Sequence, residues 1–288
     1  MLIPVLALAL STVAAPALGP GECVVVAPLH GPETVFGGDE CARRTLPAST
    51  FKVPHALIAL QTDVVTSTSV ITWDGTRRDF ARWNADQTLE SSLKRSVVWV
   101  YQRFATAIGR ERELEHLRAF GYGSATFTGE VTDFWLNGDL QISPNEQVAF
   151  LRRMFSYHLP VDRAHIDTVK RDLIMPRGKL ENAAGVHEFP LRWPAGTIVR
   201  GKTGNGTVDG EHVSWLVGEL EAGGRQYVFA SRARSSTRTL DTTAGADLAL
   251  RVLNTIDPAA PPAQPRSDAR PRHDKEGTAE SAEVAKKD

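Results

Sequence analysis

Cysteine is nearly missing from this 288-residue chain, which has two. Two thiols cannot furnish a structural zinc site, and the eight histidines fall in no H-E-x-x-H or other compact ligand spacing. The sequence therefore predicts no metal and no metal mechanism. An excess of charge is lacking too. With 33 Lys+Arg against 34 Asp+Glu the formal net charge is −1, which argues against a nucleic-acid surface. Long apolar runs are also scarce. Residues 2–18 form one of about 17 residues, interrupted by Pro4 and Pro16, which is marginal for a membrane span. It ends in small residues, with Ala-x-Ala-like cleavage choices after Ala15 or Ala17, so residues 1–17 read as a secretory signal peptide without the usual basic start. That reading implies a secreted, periplasmic protein with no stable membrane anchor. Residues 257–288 lack Leu, Ile, Met and aromatics but hold thirteen charged residues and five prolines. They cannot bury enough apolar surface to fold and read as a disordered tail.

What remains, residues 18–256, is 42% hydrophobic along with the rest of the chain, enough for one large or two small cores. Residues 22–28 and 33–36 read as strands around a His30-Gly31-Pro32 turn. Cys23 and Cys41 flank this hairpin. After export they can form a disulfide worth about 3 kcal/mol; two buried free thiols are the alternative. From about residue 73 to 194 the pattern is mainly helical. Val97, Val98, Tyr101, Phe104 and Ile108 repeat at helical spacing. Ser143-Pro144-Asn145-Glu146 is a capping box that opens a helix through about His158. Short β-rich runs follow at 197–203, 213–220 and 226–231, separated by Gly204-Asn205-Gly206 and Ala222-Gly223-Gly224, which suit hairpin turns. A last helix covers about 243–253. Strands at both ends with helices between predict an α/β (α+β) fold: an antiparallel sheet built from both chain ends, flanked by helices, with a mainly helical insertion.

Ser49-Thr50-Phe51-Lys52 places a hydroxyl and an amine three residues apart at the start of an apolar helical run. Residues i and i+3 share a helix face, so the amine reaches the hydroxyl. A serine is a poor nucleophile until an adjacent base takes its proton. The tetrad alone is weak, because Ser91-Ser92-Leu93-Lys94 repeats it and a helix-capping serine has the same look. Its company is stronger. S-x-x-K, then the tripeptide Ser96-Val97-Val98, then Lys202-Thr203-Gly204 is the ordered signature of penicillin-recognising serine enzymes.

Further motifs narrow the resemblance. Trp83-Asn84, Tyr122-Gly123, Phe134-Trp135-Leu136 and Trp215-Leu216-Val217-Gly218 fall in order among the three above, and over residues 22–256 the chain resembles the class D serine β-lactamases, the oxacillinase type. The resemblance implies hydrolysis of β-lactams, a small-molecule substrate, through an acyl-enzyme. Ser49 would be the nucleophile, and its own N–H with that of Asn205 would meet the oxyanion. Burial can lower a lysine pKa by about 3–5 units from about 10.4. A neutral buried Lys52 reacts with carbon dioxide, and the resemblance implies an N-carboxylated Lys52, supported by apolar Val98 and by the Trp135 indole N–H. No other cofactor is implied. Trp135 also fits a plain core aromatic, and Ser96, the third catalytic candidate, also fits a cap before the next helix. Lys202 and Thr203 would hold the substrate carboxylate, and Gly204 would let the ligand approach closely; an edge-strand lysine before a turn is the bland alternative.

Two departures concern substrate range. The family's Tyr-Gly-Asn is Tyr122-Gly123-Ser124 here, and its carboxylate-binding arginine has no secure match among Arg232, Arg234 and Arg238, with Ser236 and Thr237 as polar substitutes. Val98 carries no polar atom and cannot orient water, so deacylation must be driven from elsewhere, which fits a modified Lys52. Two rival functions share the acylation step: a β-lactam sensor domain that stalls after it, and a D-Ala-D-Ala peptidase.

Overall fold

In a computed structural model, residues 16–258 are described. Most of the expected leader and nearly all of the expected disordered tail lie outside them. Five strands form one antiparallel sheet: β1 (Glu22–Pro28), β2 (Thr34–Phe36), β5 (Ile198–Val208), β6 (Glu211–Ala222) and β7 (Arg225–Ser235), in the order β2-β1-β7-β6-β5. Strands from both chain ends meet where β1 pairs with β7, Val25 opposite Ala230. The expected sheet is present.

β1 reads Cys-Val-Val-Val-Ala because both of its faces are buried. Cys23, Val25 and Ala27 point into the larger core, with Phe51, Leu57, Trp135 and Trp215. Val24 and Val26 point the other way, against Leu216, Phe229 and the helix α7 (Ala244–Leu253). Period-two alternation thus divides one strand between two cores. Cys23 and Cys41 form a disulfide, with Cα atoms 5.3 Å apart.

The insertion carries α1 (Lys52–Gln61), α2 (Leu89–Lys94), α3 (Val98–Ile108), α4 (Arg110–Phe120), α5 (Pro144–Phe155) and α6 (Arg163–Asp172). Pro54 is the third residue of α1, where a missing N–H costs no intrahelical bond. The α5 capping box is formed, Ser143 N donating to Glu146 Oε2 at 2.9 Å and Glu146 N to Ser143 Oγ at 3.3 Å. The helix stops at Phe155, short of His158, because Tyr157 adopts φ 58°.

Two expectations are corrected. The helical pattern does not run to residue 194. Past α6 the chain forms a small hairpin, β3 (Lys179–Glu181) with β4 (Val186–Glu188), in a stretch punctuated by Pro176, Gly178, Gly185 and Pro190. Gly204-Asn205-Gly206 is no turn either; it lies inside β5, with Asn205 opposite Ser214. The turn comes at Asp209-Gly210, both at positive φ (49° and 77°), and Gly223-Gly224 repeats that geometry (57° and 76°) after β6. β5 is therefore longer than expected, and Lys202-Thr203-Gly204 sits mid-strand on the sheet edge.

Candidate active site

Glycine decides how Ser49 reaches the sheet. Lys202, Gly204 and Gly206 share one face of β5 by the two-residue period. A Cβ at Gly204 would come within 2.9 Å of Pro47 O and Thr50 Cγ2, and one at Gly206 within 2.8 Å of Leu46 Cδ2. The space cleared by Gly204 is filled by the turn that carries Ser49, not left for a ligand. That turn is a short 3-10 helix, Ala48–Phe51, running directly into α1. Trp215 Nε1 on β6 fixes its approach by donating to Leu46 O at 3.0 Å. Gln147 on α5 donates to Thr50 Oγ1 (2.9 Å) and to Tyr122 Oη (3.3 Å), tying the Tyr-Gly-Ser loop to the same turn.

Lys52 follows at the first position of α1, with its Nζ 2.9 Å from Ser49 Oγ. The lysine is 0% exposed. Burial, and next the positive charge of Lys202, hold its pKa well below the usual lysine range. A Tyr101 ring lies 5.2 Å from the amine, and among the described residues no carboxylate forms a salt bridge with it. This amine gives up its proton more readily than an ordinary lysine.

Ser96 and Lys202 form a second couple. Lys202 Nζ donates to Ser96 Oγ at 2.7 Å and to Thr203 O at 2.9 Å. Burial pushes the Lys202 amine down to about 7. Ser96 adopts φ 57°, an uncommon conformation for a residue with a side chain, and its hydroxyl does not cap α3, whose cap is Val97. The capping alternative for Ser96 is therefore not what the geometry shows.

Ser49, Ser96, Val98, Thr203 and Asn205 line one cavity of ≈ 160 Å³. Lys202 itself is buried behind Thr203 and Ser96 and does not line it. Sequence reasoning missed part of the wall: Phe80, Asn182 to Ala184 and Thr242. Asn205 Nδ2 donates to Thr242 O at 3.1 Å, which ties the β5 edge to the segment before α7. None of these residues belongs to a recurrent motif, and only their position in the fold gathers them.

The arginine candidates stand elsewhere. Arg232 donates to Arg43 O and Glu40 O, and Arg234 to Glu40 and Glu211. Neither lines the cavity, and nor do Arg238, Ser236 or Thr237. Ser124 is also remote from it, accepting from Gln141 N at 3.1 Å. Its role is to close a loop.

Trp135 is 0% exposed and stacked on Phe51, the neighbour of Lys52 in sequence, at 5.7 Å, and its indole Nε1 has no hydrogen-bond partner among the described residues. Buried donors are almost always paired, so an orphan here asks for an acceptor. Beside it the His55 ring packs edge-on at 5.2 Å. His55 Nε2 in turn approaches Glu113 Oε1 of α4 at 2.7 Å, both side chains being 0% exposed. Among the described residues no group of three or more His, Cys, Asp or Glu could hold a metal ion, and no helix is long and apolar enough to cross a membrane.

A model of the penicillin binding protein transpeptidase domain matches residues 30–256. The regulatory protein BlaR1 of Bacillus licheniformis is 33% identical over 223 residues, 77% of this chain and 34% of that protein. Beta-lactamase OXA-48 of Klebsiella pneumoniae is 40% identical over 186 residues, 64% of each chain. The chain thus spans about a third of BlaR1 and just under two thirds of OXA-48. Among solved structures, the class D β-lactamase YbXI from Nostoc superposes with a TM-score of 0.71 at 29% identity, covering 81% of this chain and 92% of that one.

Proposed function

From the premise that this chain belongs to the penicillin-binding transpeptidase family and, within it, to the class D β-lactamases, we propose that it hydrolyses β-lactam antibiotics through an acyl-enzyme on Ser49. The observation that carries this reading is the 2.9 Å contact between Ser49 Oγ and a fully buried Lys52 whose pKa burial holds well below the usual lysine range. A neutral amine takes the hydroxyl proton, and Ser49 Oγ attacks the lactam carbonyl carbon. The N–H groups of Ser49 and Asn205 are the donors for the oxyanion. When the C–N bond breaks, the leaving nitrogen needs a proton. Ser96 Oγ can give its own and be refilled from Lys202 at 2.7 Å. Thr203, backed by the Lys202 charge, is the natural contact for the substrate carboxylate.

Hydrolysis of the acyl-enzyme requires a base for water. A carbamate on Lys52 would supply an anionic oxygen for that purpose. The residues present fit such a group: a buried amine with a lowered pKa, apolar Val98 beside the cavity, and Trp135 Nε1 without a partner among the described residues. The disulfide between Cys23 and Cys41 supports an oxidising location, in keeping with export to the periplasm.

The likeness to BlaR1 favours one second reading, a receptor domain that is acylated and does not turn over. Purified protein mixed with nitrocefin separates the two. Sustained colour development at many equivalents of substrate supports the hydrolase, whereas a single stoichiometric burst supports the receptor. Neither signal, together with no adduct on Ser49, would refute both.

A further inference from the structure

Another cavity, of ≈ 160 Å³, shares no lining residue with the one that holds Ser49. The loop between α6 and the β3–β4 hairpin, the segment that leaves the hairpin and the start of β5 form its wall. Met175, Phe189, Leu191, Trp193 and Val199 make this wall apolar. Ile174 and Ile198, each 37% exposed, carry it out to the surface. A concave apolar wall with large apolar side chains left in water at its edge is the ordinary form of a ligand site.

The wall is held by its own backbone. Met175 N donates to Val199 O at 2.9 Å, Lys179 N to Pro176 O at 3.0 Å and Phe189 N to Gly178 O at 2.8 Å. Trp193 Nε1 is spent on Leu253 O at 2.7 Å, so this indole has ring surface but no donor left for a ligand. A Cβ at Gly201 would fall 2.5 Å from Met175 Sδ, so the missing side chain lets the thioether pack down on β5. Two cations stand among the lining residues. Lys179 is paired with Glu188. Arg177 is exposed and, among the described residues, has no acidic partner.

We propose that this cavity binds a small aryl carboxylate, its ring laid on Met175, Phe189 and Trp193 and its carboxylate met by Arg177. The wall selects the ring. Two aromatic side chains and a thioether favour a flat aromatic body over a polar one. The rim selects the head. One guanidinium is unspent, it keeps its charge at any working pH, and its planar fork matches a carboxylate. An exposed arginine also keeps the rotamer freedom to turn toward whatever the wall holds. A polyanion would exceed the single free cation and gain nothing from the apolar wall. The site is separate from Ser49, and its occupancy does not depend on the chemistry there.

Methionine supplies the reporter. The chain has three, Met1, Met154 and Met175. Met175 lines this cavity, whereas Met154 is buried in the larger core. The full chain, labelled with carbon-13 at its methionine methyls, is titrated with indole-3-acetate and separately with the neutral indole-3-acetamide; Met175→Leu assigns the signal. The acid should move the Met175 signal to saturation with a Kd of about 1 mM or below, as expected for a ligand of about 13 non-hydrogen atoms. Met154 should stay unmoved. The acid should bind about threefold or more tighter than the amide, the scale of an exposed ion pair. Arg177→Met should bring the acid down to the affinity of the amide and leave the amide unchanged. A Met175 signal that does not saturate below about 10 mM, or a shift confined to Met154, overturns the site. Equal binding of acid and amide by wild type overturns the assignment of Arg177, and so does a preference for the acid that survives Arg177→Met.

Discussion

Two S-x-x-K tetrads occupy this chain, one running from a 3-10 turn into α1 and the other ending α2, and their environments differ in every respect that matters to chemistry. At Ser49 and Lys52 the amine is sealed from water, 2.9 Å from the hydroxyl, with Lys202 as a nearby positive charge. At Ser91 and Lys94 the serine hydroxyl accepts from Thr88 N at 2.9 Å and donates to Gln87 Oε1 at 2.8 Å. It completes a capping box. Lys94 turns away to Glu90, 2.5 Å distant at the surface. Spacing brings an amine within reach of a hydroxyl. Burial without a carboxylate makes that amine a base.

The largest effect expected from breaking this contrast is at the nucleophile. Ser49→Ala should lower β-lactam hydrolysis by at least about 10⁴-fold, since removing a serine nucleophile alone costs that much or more in comparable enzymes. Ser91→Ala should leave hydrolysis within about twofold while removing up to about 1 kcal/mol of stability as the capping box is lost. A covalent adduct on the Ser91 peptide would reverse the comparison.

The bases come next. Lys52→Ala should slow acylation by about 10²–10⁴-fold, the range for a lost general base, whereas Lys94→Ala should cost at most about 0.5 kcal/mol in stability and nothing in rate. Carbon-13 NMR after labelled bicarbonate should show a carbamate signal in wild type that vanishes in Lys52→Ala and survives in Lys94→Ala. If the signal never appears, and turnover ignores bicarbonate at acidic pH, Lys52 acts as a plain amine.

Trp135→Phe sharpens the same point by about tenfold. It removes the unpaired indole donor, so activity near pH 6 should fall without bicarbonate and recover when bicarbonate is added. Equal activity with and without bicarbonate would make Trp135 a packing residue.

The smallest effect concerns Lys202 and has a defined sign. With its pKa pushed down to about 7, the amine is a cation below that pH and neutral above it. KM for a carboxylate-bearing penicillin should therefore climb a few-fold as pH rises through about 7, while an ester lacking that charge stays flat. The same positive charge depresses Lys52, so Lys202→Met should move the acid limb of the pH–rate profile to higher pH. An unmoved limb would show that the two lysines do not communicate.

The contrast between tetrads also marks how far the sequence could be read. The order of Ser49, Ser96 and Lys202 was legible, because each belongs to a short motif with its own spacing. So was the sheet from both chain ends, carried by apolar strands and paired glycines. Gly204 and Gly206 misled because glycine serves turns and close packing alike. Only the fold shows that the Ser49 turn lies against them. The β3–β4 hairpin escaped since its strands are three residues each and partly exposed, too short for alternation to stand out in the sequence. Asn182, Phe80 and Thr242 come from three separate segments, so no local pattern could have joined them.

His55 and Glu113 carry a consequence for the history open to this chain. Their side chains are fully enclosed and face each other from two helices. Replacing one strands the other as a buried polar group without its partner, at about 1–3 kcal/mol, whereas replacing both by apolar residues of like volume can be nearly neutral. A folded domain has only about 5–15 kcal/mol to lose. In descent the two positions therefore behave as one inherited character. A lineage leaving this pair must cross a weakened intermediate or acquire a stabilising change first, so sequences carrying one member without the other should be scarce among its descendants.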